Sequence, residues 1–203
     1  MTIRLNGQTS GYVELEAPAA AGSNTLTLPT SNGSNGQFLQ TNGSGALSFS
    51  GVSGAILNTY TATDTAGRVT TSTTFTAASN TASVTLTPSS ASSKFLVFVT
   101  TTMSASDGND GWMITLFRDS TNLATTAAQG FAQGNSVPGV SATTFPVTIV
   151  HLDSPNTTSQ IIYQPQFRVV DQDSDGGSAR MGYTAHGASG GPATVTTVIE
   201  IGG

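Results

Sequence analysis

In residues 1–54 the apolar positions come in short alternating groups, each cut off within a few residues by Asn, Gly, Ser or Pro. Alternation of apolar and polar positions marks a half-buried strand. It predicts strands at Ile3–Leu5, at Tyr12–Leu15 through Val13, and at Leu26–Leu28, the last closed by Pro29, with two more at Gln37–Gln40 and Leu47–Phe49. The intervening Ser31–Gly36 and Asn42–Gly45 are rich in Asn and Gly, which tolerate positive φ, and read as turns. None of these strands carries enough apolar residues to cover a core. Residues 1–54 are therefore expected to form a strand-rich arm that needs a partner surface: the rest of the chain, a neighbouring subunit, or both.

From Ala55 onward the strands lengthen. Ser83–Thr87 alternates cleanly, and Lys94–Met103 contains a continuous apolar stretch, which predicts a central strand buried on both faces. Further strands are predicted at Tyr60–Thr63, Arg68–Phe75, Trp112–Arg118, Thr121–Thr126, Thr143–Leu152, Ile161–Val170, Met181–Thr184 and Thr194–Ile201. Turn residues separate nearly all of them at a spacing of about 8 to 12 residues, the pattern of an all-β sandwich, jelly roll or barrel. No window sustains a helical period, and the best helical stretch, Thr125–Gln133, is short and interrupted by Gly130.

Composition narrows the function. Only 8% of residues are charged, against about 25% in an ordinary domain, so Ser, Thr, Asn and Gly must supply most of the surface. A net charge of -5 with apolar residues at 36% does not match the high-charge, low-hydrophobicity signature of disorder. The basic residues Arg4, Arg68, Lys94, Arg118, Arg168 and Arg180 are scattered singly, which leaves no electrostatic footprint for nucleic acid. No apolar run reaches the roughly 20 residues that span a bilayer, and the N-terminus lacks the apolar region of a signal peptide, so a soluble protein made in a cytoplasm is expected. Without cysteine there is neither disulfide nor thiolate metal site.

Candidate chemistry is sparse. Asp171, Asp173 and Asp175, followed by Gly176, have the opening spacing of a calcium loop, but Gly182 stands where the bidentate Glu would be needed, so a solvated turn is the simpler reading. Asp107–Gly111 is a weaker version. His151 and His186 lie in no recognisable nucleophile or metal motif, and no phosphate-binding glycine loop is present. A glycan hydrolase would need paired carboxylates flanking a sugar-sized cleft, and only Asp171, Asp173 and Asp175 cluster. Trp112, the single tryptophan, is expected to anchor the core.

Several segments, specific only as a set, resemble a domain of virion structural proteins in tailed bacteriophages, particularly those of cyanobacteria. They are Ser83–Val97, Leu116–Ser120, Leu152–Pro155 and Thr194–Gly202. The stretches Gly11–Pro18, Asn24–Pro29 and Gly36–Gly43 are similar to a module near the start of phage fibre and decoration proteins. The resemblance implies a jelly-roll-like β-sandwich over 55–203 that associates as a homotrimer, and an attachment arm over 1–54. Ile3, Leu5, Tyr12, Val13, Leu15, Leu26 and Leu28 are the candidate contact residues of that arm. The implied role is a non-enzymatic capsid decoration (cement) protein on the virion surface that binds the major capsid protein and uses no cofactor. The alternative is a tail fibre module whose loops contact host surface glycans.

Overall fold

The computed structural model of the chain describes residues 2–20, 22–51, 54–106, 109–124, 130–135, 143–170, 176–183 and 191–203. Two compact units are present, Met1–Val52 and Ser53–Gly203. Strands dominate both, and among the described residues there is no α-helix, hence none long and apolar enough to cross a membrane.

The first unit contains two hairpins. β1 (Thr2–Asn6) and β2 (Tyr12–Glu16) pair antiparallel with Ile3 opposite Leu15 and Leu5 opposite Val13. β3 (Phe38–Thr41) and β4 (Leu47–Ser50) pair with Leu39 opposite Phe49. The strand expected at Leu26–Leu28 does not form. Only Thr27 bridges, in parallel, to Ala46, accepting from the Leu47 N–H at 2.8 Å and donating to the Gly45 carbonyl at 2.8 Å. Pro29 follows two residues later and cannot donate to a ladder, so pairing stops there.

The second unit is built from β5 (Ile56–Asp64), β6 (Arg68–Thr70), β7 (Thr76–Ala77), β8 (Val84–Leu86), β9 (Lys94–Ala105), β10 (Gly111–Arg118), β11 (Thr121–Asn122), β12 (Ala132–Asn135), β13 (Phe145–Asp153), β14 (Ile161–Val170), β15 (Ala179–Met181) and β16 (Thr194–Ile201). They form two antiparallel sheets. In one, β14 lies between β10 and the pair β7 and β8, and β10 is flanked on its other side by β11 and β12. In the other, β9 is central: β16 pairs with its Lys94–Thr100 stretch, β15 continues along Met103–Ala105, and β13 pairs with Phe95–Met103. β5 and β6 then line β16 and β15.

The inner faces of both sheets meet in one core that includes Phe95, Val97, Met103, Trp112, Ile114, Leu116, Ile149, Tyr163, Phe167 and Val198. β9 is central as expected but fully buried on one side only. Phe95, Val97 and Val99 are inaccessible while Leu96 and Phe98 on the opposite face are only partly buried. The expected strand Arg68–Phe75 is split, because the Ser72 hydroxyl donates to the Thr74 carbonyl and accepts from the Thr74 N–H. Such local bonds turn the chain from one sheet to the other. β15 stops at Met181, where Gly182 adopts φ +72. Of the stretch Thr125–Gln133, residues 125–129 lie outside the described residues, whereas Ala132 and Gln133 are strand.

Candidate assembly surfaces and buried carboxylates

Two surfaces combine apolar side chains with exposure. The first is one face of the β1–β2 hairpin. Ile3, Leu5, Val13 and Leu15 share that face by register, and each is at least 60% exposed. The opposite face is polar, with Arg4 paired to Glu14 and its guanidinium 4.0 Å from the centre of the Tyr12 ring. A two-stranded ribbon is marginally stable in water by itself, and this one offers an apolar face that no described residue covers. Leu26 and Leu28 are likewise exposed, so every candidate contact residue of the arm is accessible. Beyond the hairpin, the loop Pro29–Ser34 folds against Phe49, where a Cβ on Gly33 would come within 2.6 Å of the ring.

The second surface is the outer face of the sheet centred on β9. Alternation places Leu96 and Phe98 of β9, Val150 and Leu152 of β13, and Val195, Thr197, Ile199 and Ile201 of β16 on that side, with Thr59, Thr61 and Thr63 of β5 beside them. Val150 and Leu152 are more than half exposed. The charged residues on this side, Lys94 opposite Ile201 and Arg180 opposite Ser104, stand towards the two ends of β9. The outer face of the other sheet mixes Met113, Phe117 and Ile162 with Gln164, Gln166 and Arg168, and Arg168 donates to the Thr73 carbonyl and lies over the Phe75 ring.

The buried carboxylates are structural ties. Asp153 of β13 accepts from Arg118 Nη1 at 2.7 and 2.6 Å, and Tyr163 donates its phenol to the same carboxylate at 2.7 Å, so one ion pair joins the two sheets. Burial, then the hydrogen bond to Asp153, pushes the Tyr163 phenol far above its usual range. Asp64, at the end of β5, receives two bonds from Arg68, one from the Ala66 N–H and one from the Ser79 hydroxyl. The Arg68 bonds lead in lowering it to about 2 against burial. Glu200 is fully buried and is held by neutral donors: Asn58 donates to it at 2.9 Å, the Ser89 N–H at 2.6 Å and the Ser93 hydroxyl at 2.8 Å. Burial pushes Glu200 up, and these donors outweigh it, leaving the group below its ordinary value.

No known protein family and no curated protein matches the chain. Among the described residues no group of three or more His, Asp or Glu is placed to hold a metal. Asp171, Asp173 and Asp175 lie outside the described residues, as do Asp107 and His186. His151 sits on the inner face of β13, edge-on to Phe131 with ring centres 5.3 Å apart, a packing role. Trp112 is 3% exposed and packs against Gly134 and Phe145, as expected of a core anchor. Sequence reading missed the buried carboxylate ties entirely. Asp64 and Arg68, four residues apart, gave one local signal; Glu200 and Ser89 are 111 residues apart and gave none.

Proposed function

We propose that the protein is a structural component of a bacteriophage particle surface, most specifically a homotrimeric capsid decoration protein that clamps the major capsid shell through its N-terminal unit. The observation that carries the reading is the apolar face of the β1–β2 hairpin, whose four aliphatic side chains are exposed. Burying such side chains contributes roughly 25 cal/mol per Å² of apolar surface. A soluble protein keeps a face of this kind when it is an attachment surface.

Two further features support the reading. The strand pairing of the second unit is nested: β5 and β6 with β15 and β16, β7 and β8 with β14, β9 with β13, and β10 with β11 and β12. First pairs with last and each inner row with its counterpart, as expected of a long antiparallel hairpin rolled into a jelly roll. The apolar centre of the outer face of the β9 sheet, where Leu96, Phe98, Val150, Leu152 and Ile199 lie side by side, suits contact between identical copies, and a trimer built on it would cover Val150 and Leu152.

Particles made without the protein are expected to lose resistance to heat and osmotic shock, and a stained gel of purified particles should give a copy number that matches the shell lattice. Particles equally robust without it, or a copy number matching the tail, would overturn the decoration role.

A further inference from the structure

Four Asn–Gly pairs occur in the chain, Asn6–Gly7, Asn32–Gly33, Asn35–Gly36 and Asn42–Gly43, and all fall in the N-terminal unit. Glycine has no Cβ to shield its amide nitrogen or restrict its backbone, so the amide of an Asn–Gly pair is open to attack on the preceding side chain. Local structure separates the four. The Gly7 N–H is held by the Gly11 carbonyl at 3.0 Å, and Asn6 is fixed in β1 opposite Tyr12. At Asn42, Oδ1 accepts from the Ser44 and Ala46 N–H groups at 2.9 and 3.1 Å, and the Gly43 N–H donates to Thr41 Oγ1 at 3.2 Å, so both reacting groups are occupied. Gly33 is packed against the Phe49 ring.

Asn35–Gly36 has none of these restraints. It forms the two central residues of a turn closed from the Gln37 N–H to the Ser34 carbonyl at 3.2 Å, and Gln37 also caps the Ser34 N–H at 2.6 Å. Asn35 is exposed, Gly36 adopts φ +85, and the space beside Gly36 is empty to 4 Å. Among the described residues no hydrogen bond engages the Asn35 side chain or the Gly36 N–H.

We propose that Asn35 is a site of spontaneous deamidation, and that it reacts ahead of the other three Asn–Gly pairs in the folded protein. The Gly36 nitrogen attacks the Asn35 side-chain carbonyl carbon, forming the new N–C bond of a cyclic imide. The bond to the side-chain nitrogen breaks, and that nitrogen leaves as ammonia with the proton lost from Gly36. Water then opens the imide at either carbonyl, giving aspartate or isoaspartate. Each event adds one negative charge to the unit that carries the hairpin, and the isoaspartate form adds a methylene to the backbone just before β3. The inference does not depend on the proposed function.

The test is to age the full-length protein in warm, mildly alkaline buffer and follow all four sites by peptide mapping with enzymatic isoaspartate labelling, in parallel with protein held in guanidinium. Native protein is expected to convert Asn35 severalfold faster than Asn42 and Asn6, the difference is expected to shrink in guanidinium, and Asn35→Gln should remove most early isoaspartate. Conversion of Asn6, Asn32 or Asn42 as fast as Asn35 in native protein, or an Asn35 that stays intact while another site converts, would overturn it. So would a spread of rates among the sites as wide in guanidinium as in buffer.

Discussion

At the scale of single residues, the buried carboxylates govern how this nearly uncharged protein responds to pH. Asp64 has its folded value lowered to about 2, so its contribution is complete above its unfolded value of about 3.9 and is lost as pH falls toward 2. The size of that contribution is on the order of 2 kcal/mol. Asp64→Asn is expected to lower stability by about that amount at neutral pH and to flatten the acid limb between about pH 4 and 2, read by urea unfolding across pH. Glu200 acts in the same direction, since its value is also lowered. The Arg118 to Asp153 pair should behave differently from a surface ion pair. Arg118→Met strands a carboxylate that is 7% exposed, and should cost about 3 kcal/mol, whereas Tyr163→Phe, which removes one donor, should cost about 1 kcal/mol. Equal losses from both variants in urea unfolding would show that the ion pair is not the dominant tie. Beyond the four-residue spacing of Asp64 and Arg68, little of this was legible in advance, because carboxylates in a sequence look the same whether they end in a turn or under a sheet.

At the scale of elements, alternation located the strands well wherever a ladder partner lay alongside for the whole length. Ile161–Val170 and Thr194–Ile201 came out with the predicted ends because both faces of each strand are defined, one by the core and one by solvent. Leu26–Leu28 failed because its alternation is real but Pro29 and the hairpin next to it leave a single bridge. The split of Arg68–Phe75 was invisible because Ser and Thr can either extend a strand or bond to their own backbone. The β1–β2 hairpin yields a direct test of its role. On the proposed decoration role, Leu5→Ser with Val13→Ser should leave the thermal unfolding of the second unit unchanged, since their side chains are exposed, and should abolish capture of the protein by capsids lacking it. Retained capture would remove the hairpin face from the attachment surface.

At the scale of the whole molecule, the proposed trimer contact on the outer face of the β9 sheet can be tested directly. Val150→Glu with Phe98→Glu sets charges on the β9 face, one of them directly opposite the other in the register. Like charges so placed repel, and against a second copy they would also be desolvated. Sedimentation is expected to show a trimer for the wild type and a monomer for the variant, with the circular dichroism of both indicating the same strand content. A wild-type monomer would remove the trimer; a trimeric variant would move the contact elsewhere.

The sequence by itself determined that the protein is all-β, where most strands lie and that its first part is thin in apolar residues, because side-chain periodicity and turn chemistry are local and act within a few positions. It also determined that charge plays little part on the surface, which composition alone dictates. Only the tertiary structure decided which face of β9 is covered, how the strand rows pair, and which carboxylates are buried. Those outcomes depend on residues dozens of positions apart meeting across a ladder or between sheets, as Glu200 meets Ser89 and Arg118 meets Asp153. No short-range pattern encodes such meetings.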